Sequence, residues 1–150
     1  MSSGRGPQDE GRVKELLAEG IAQGAAGDLQ AARLALLSVL ELDPRQYDAW
    51  YNLGNVHREE KEFARAAACY AVTLGIDPDN HPAHYQQAVV LQRAGRTDEA
   101  LRAYQQAVRT SPNPGQHWGF SGMDFTKKAE AAIERLRGGG PKRVPKRKKK

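Results

Sequence analysis

The chain has 150 residues, 39% hydrophobic and 27% charged, which suits one compact body with polar tails, since single cores are commonly built from about 100 to 150 residues. Its net charge of +5 is segregated: of 23 Lys and Arg, seven lie in residues 138–150 beside no acid, so the remaining 16 face all 18 acids and the body is mildly acidic. A single cysteine, Cys69, excludes an internal disulfide, no Cys/His cluster has the spacing of a zinc site, and no run of eighteen apolar residues offers a transmembrane helix.

Residues 1–12 are polar and glycine-containing where a signal peptide needs an apolar run, so they are expected to be disordered. Together with the unpaired thiol, this points to a reducing setting, cytoplasmic, or nuclear if the host cell has a nucleus.

From Val13 a period of 34 residues sets in. Pro44, Pro78 and Pro112 are spaced by it, as are Gly20, Gly54 and Ala88, then Ala32, Ala66 and Ala100, then Leu36, Tyr70 and Tyr104. Each column has a physical reason. Small residues midway along one helix and early in the next let two antiparallel helices approach closely. Trp50, Leu53, Gly54 and His57 fall at i, i+3, i+4 and i+7, one helical face, and Phe63, Ala66, Ala67, Tyr70 and Leu74 repeat the pattern. The prolines stop the second helix of each unit. The units are 13–46, 47–80 and 81–114, with helices expected near 13–26, 29–42, 47–60, 63–76, 81–94 and 97–110. At the small column, Gly54→Leu should overpack the crossing, whereas Gly54→Ala should be mild because Ala88 fills the equivalent place.

These residues resemble the tetratricopeptide repeat family, and the second unit carries its pattern nearly in full: Trp50-x-x-Leu53-Gly54-x-x-His57, Ala66-x-x-x-Tyr70, then Pro78. The likeness runs from Val13 to Pro112. The first unit departs with Leu16 and Glu19, the third with His84 and Gln87. The resemblance implies an all-α, right-handed superhelical solenoid of three helix-turn-helix repeats whose concave surface binds peptides.

Beyond Pro112, residues 115–121 read as a loop, because Gly115, Gly119 and Gly122 would each cost a helix about 1 kcal/mol relative to Ala. A decayed fourth repeat is the other reading, since Trp118, Gly122 and Phe125 keep the register. Over 122–137 a helix returns, with Phe125, Ala129, Ala132, Ile133 and Leu136 on one face. It is either a cap for the apolar end of the stack or a detachable partner helix. The tail, 138–150, has glycine, proline and like charge against order. Its basic residues, Lys142, Arg143, Lys146, Arg147, Lys148, Lys149 and Lys150, suit RNA or DNA, an anionic membrane surface, an import receptor, or solubility alone. With no aromatic interleaved, any nucleic-acid affinity would be independent of sequence.

The face of each first helix that its own unit leaves uncovered comprises Lys14, Leu17 and Ile21; Asp48, Tyr51, Asn52, Asn55 and Arg58; and Pro82, Tyr85, Gln86, Val89 and Arg93. Leu17, Ile21, Tyr51, Tyr85 and Val89 would form an apolar and aromatic stripe flanked by the amides of Asn52 and Asn55. Alternatively, Leu17 and Ile21 pack against a flanking segment. The family's carboxylate clamp projects onto Leu17, Ile21, Asn52, Pro82 and Gln86, of which only Asn52 matches, so charge-assisted capture of an acidic C-terminus is not expected. A long asparagine ladder fails as well, with Ala18 and Gln86 at the places equivalent to Asn52.

No nucleophile, phosphate-loop or metalloprotease motif occurs. His81 and His84 lack a third ligand, His57 lies in a packing column, and Cys69 reads as a small buried hydrophobe, so neither a metal nor a cofactor is expected. The sequence therefore points to a non-enzymatic adaptor that binds a protein or peptide with apolar anchors. The alternative is a nucleic-acid- or ribosome-associated accessory protein anchored by its tail, and the two differ in salt response.

Overall fold

A computed structural model describes residues 6–112 and 124–138. They form seven helices, with no strand among the described residues: α1 (Pro7–Ala25), α2 (Leu29–Leu42), α3 (Tyr47–Glu59), α4 (Phe63–Ile76), α5 (His81–Arg93), α6 (Thr97–Arg109) and α7 (Thr126–Arg137). Successive helices pack on one another, most closely within the pairs α1–α2, α3–α4 and α5–α6. This pairing is the three-unit solenoid that the 34-residue period predicts.

Helix α1 starts six residues before Val13, so residues 7–12 are helical rather than disordered. Pro7 opens it, where its missing N–H is no loss, and Asp9 and Glu10 complement the positive end of the helix. At the other end of the chain, α7 starts at Thr126, with Asp124 and Phe125 outside the helix. Residues 122–123 of the expected cap, the 115–121 segment and the basic tail lie outside the described residues.

The turn inside each unit obeys the same period. Gly27, Lys61 and Gly95 have φ of +88°, +63° and +83°. In each, the following amide (Asp28, Glu62, Arg96) donates back to a carbonyl five residues earlier (Gln23, His57, Leu91) at 2.8–2.9 Å. This is a left-handed helix stop of the kind glycine accommodates without strain. Between units, Asp43 and Asp77 adopt the extended backbone that a following proline demands.

The small and aromatic columns make the core. Ala32, Ala66 and Ala100 have no exposed surface, Leu36 lies against Gly20 and Tyr70 against Gly54, and Tyr104 and Ala88 are buried in one cluster. A methyl group at Gly54 would stand 2.6 Å from a ring carbon of Tyr70, inside contact distance. A methyl group at Gly54 must therefore displace the Tyr70 ring, so Ala88 is no guide to what alanine costs there. The reason lies in the tyrosines: the Tyr70 hydroxyl crosses the glycine to donate to Asn55 at 2.6 Å, whereas Tyr104 donates to Gln92 at 2.7 Å. Beyond α6, α7 buries Ala129 and Ala132, with Ile133 and Leu136 half-buried against the same cluster.

Candidate peptide-binding groove

The first helices of the units, α1, α3 and α5, line a groove of two lobes that share Arg58 and Glu59. The first lobe, about 340 Å³, has a recessed floor of Gly20, Gly24 and Ala25, apolar walls from Ile21, Leu29 and Val56, and the amides of Asn52 and Asn55. The second, about 460 Å³, is lined by Lys61, Phe63, Tyr85, Gln86, Val89, Arg93, Phe125 and Lys128. Four cations against one acid make it electropositive, so the lobes differ in chemistry.

A polar network stiffens the floor between them. Asn55 accepts from the Tyr70 hydroxyl at 2.6 Å, the Tyr51 hydroxyl is bonded to Asn55 and Gln86, and Arg58 donates to Gln86 at 2.5 Å. Asn52 donates to the Asp48 carbonyl oxygen at 2.8 Å, which fixes its rotamer and leaves its own oxygen free of that bond. Burial, seconded by Asp77, raises the Asp48 carboxyl above its ordinary range. Networks of this kind hold side chains in one arrangement before a partner arrives.

The structure redistributes the expected groove residues. Ile21, 39% exposed, and Asn52, Asn55, Arg58, Gln86, Val89 and Arg93 line the groove. Leu17 is half-buried against the N-terminal core, and Lys14 is exposed outside both lobes. Tyr51 is not an exposed anchor: at 2% exposure it packs on Tyr70, ring centroids 5.6 Å apart, because α5 of the next unit closes over it. Pro82 is fully buried. Tyr85 is half-covered by Phe125, whose ring stacks on it at 4.4 Å with planes 2° apart. Arg93 lies over the Phe63 ring at 4.8 Å, a cation–π contact. Sequence reasoning missed Lys61, in the turn after α3, Phe63, the first residue of α4, and Phe125 and Lys128, which come from outside the repeats.

His81 and His84 each commit one ring nitrogen to a backbone carbonyl, of Ala107 and Pro78 at 2.8 and 2.7 Å. Among the described residues one cluster of possible metal ligands occurs, His57, Glu60 and Glu62, with donor atoms within 4.8 Å of one another. Arg33 already holds Glu60 at 2.6 Å and keeps its carboxyl below the ordinary range, and Arg65 stands 3.6 Å from Glu62, so guanidinium groups neutralise these acids. Cys69 is buried, and burial pushes its thiol up to about 11, away from nucleophilic use. Among the described residues no helix is long and apolar enough to cross a membrane.

Paired helices stacked at a fixed period define a helical-repeat scaffold. The chain belongs to the tetratricopeptide repeat family, whose models match residues 17–81 and 81–114. It is similar to the human protein O-mannosyl-transferase TMTC3, 33% identical over 109 residues, covering 68% of this chain and 12% of that protein. The chain thus spans about an eighth of that relative. Among solved structures it is similar to PcrH in complex with the chaperone-binding region of PopD (TM-score 0.78, 19% identity, 93% of this chain and 98% of that one). It is also similar to the Yersinia enterocolitica type III secretion chaperone SycD in complex with a peptide of the translocator YopD (TM-score 0.73, 16% identity, 83% and 91%). At such identities these likenesses concern the fold.

Proposed function

We propose that this chain is a protein-interaction adaptor, with no reaction of its own, that binds an extended segment of a partner in the groove of α1, α3 and α5. The observation that carries the reading is the first lobe, where an apolar recess lies beside the carboxamides of Asn52 and Asn55. An apolar side chain of the partner fills the recess between Ile21, Leu29 and Val56. The carboxamides then bond its backbone, as a buried peptide unit requires. PcrH and SycD, each solved with a segment of another protein, support the mode of use. The unpaired, buried Cys69 suits a reducing compartment such as the cytoplasm.

Ile21→Glu combined with Asn52→Ala alters both features of the first lobe without touching the core columns. This variant should keep the helical content of the parent and lose the proteins that the parent captures from native lysate. Unchanged capture would refute the reading. A second contact, by Lys142, Arg143 and Lys146–Lys150 with a polyanion, is favoured by the charge segregation. Such binding should fall steeply between low and high salt, and groove capture should not.

A further inference from the structure

One buried side chain pins the start of α7 to the repeats. His81, the first residue of α5, has no exposed surface, and both ring nitrogens are engaged. Nδ1 lies 2.8 Å from the Ala107 carbonyl oxygen of α6, and Nε2 lies 2.8 Å from the Phe125 amide nitrogen. A carbonyl accepts and an amide N–H donates, so the two contacts together require the neutral ring, with hydrogen on Nδ1 and the lone pair on Nε2. The ring thereby joins α5, α6 and the lead into α7. It also sets Phe125 on Tyr85, over the wall of the second lobe.

We propose that His81 is a pH-operated latch: on taking up a proton it ejects the Phe125 amide, and the start of α7 leaves the repeats while the repeats stay folded. The proton occupies the Nε2 lone pair, so one N–H then faces another at hydrogen-bond distance. The nearest acidic oxygen is Asp124 Oδ1, 3.6 Å away. That same oxygen already accepts from the backbone and hydroxyl of Thr126 at 2.9 and 2.5 Å, so it is committed to the lead into α7.

Among the described residues the other charged groups near the latch are few. Lys127 acts on Asp124 from α7, and His84, next turn on α5, has its own bond to Pro78. From α6 the ring meets the Ala107 carbonyl. Burial holds His81 below the ordinary imidazole value, against the smaller pulls of Ala107 and Asp124. The released ring is therefore the more basic one. Docking is at full strength above about pH 6.5 and weakens as pH falls below it, until the docked ring itself titrates.

Helix α7 yields first because its buried surface is small. Ala129 and Ala132 are its buried side chains, against the tyrosines and leucines that join the repeats. Release uncovers Tyr85 and widens the second lobe. That consequence rests on the groove reading above; the latch does not.

The test is amide hydrogen exchange by NMR on the full chain between pH 7.5 and 5.5, as protection factors, with the His81 and His84 rings titrated individually. Opening of Thr126–Ala132 should rise as pH falls below about 6.5, in step with protonation of the His81 ring, while α3 and α4 keep their protection. His84→Gln should preserve this response and His81→Gln should abolish it; should His81→Gln fail to fold, the midpoints in the parent chain decide. Flat protection of α7, a midpoint shared with His84 instead, or loosening of all helices together would overturn the latch.

Discussion

Gly54→Ala separates packing from helix propensity, because Gly75→Ala makes the same chemical change on the adjoining helix with nothing within 4 Å of the added carbon. In a helix interior, alanine is favoured over glycine by about 0.8–1.0 kcal/mol, somewhat less near an end. Gly75→Ala should therefore stabilise by about 0.5–1 kcal/mol. At Gly54 the added carbon meets three ring atoms of Tyr70 at 2.6–3.0 Å. That ring has no exposed surface and is tethered at its far end to Asn55, so it has no easy way to move. Overpacking of this kind costs about 1–3 kcal/mol. After the propensity gain, Gly54→Ala should be neutral to about 2 kcal/mol destabilising, and the two variants should differ by about 1–3 kcal/mol. Equilibrium urea unfolding measures both. Equal stabilisation by the two substitutions would refute the argument.

Three further perturbations follow the same logic. Lys61→Gly removes a side chain held at φ +63° and should stabilise by up to about 1 kcal/mol in urea unfolding, bringing the second turn into line with Gly27 and Gly95. Tyr51→Ala should cost about 3–5 kcal/mol, as for a core aromatic, and should show in thermal unfolding before any binding is tested. At pH 8 iodoacetamide should leave Cys69 unmodified in the native chain, since burial raises the thiol to about 11, and modify it once urea unfolds the chain.

The repeat architecture was legible because one column constrains one crossing: the period alone placed six helices, with ends within a residue or so except at α1. That start was hidden because glycine and charge in residues 1–12 resemble a tail, while Pro7, Asp9 and Glu10 are also good first-turn residues. The groove was legible in part. Helical spacing separates two faces of α3, but it does not say how far the next unit wraps over one of them, so Tyr51 read as exposed. Nor does a 34-residue period carry information about residues outside it. Phe125 reaches the second lobe because α7 folds back along α6, and His81, considered in the sequence only as half of a metal pair with His84, accepts its amide. Lys61 broke the Gly27 and Gly95 column, so the shared turn was invisible until the backbone angles displayed it.

Site-specific photo-crosslinking from opposite faces tests the central claim most directly. A photoreactive residue replaces Ile21 or Val89 in the groove, or Leu34 on α2, an exposed leucine outside both lobes. Illumination in native lysate should yield the same discrete adducts from Ile21 and Val89, reduced by Asn52→Ala, and none of them from Leu34. Adducts from the Leu34 position with none from the groove would show that partners bind the outer face, and the groove account would be wrong.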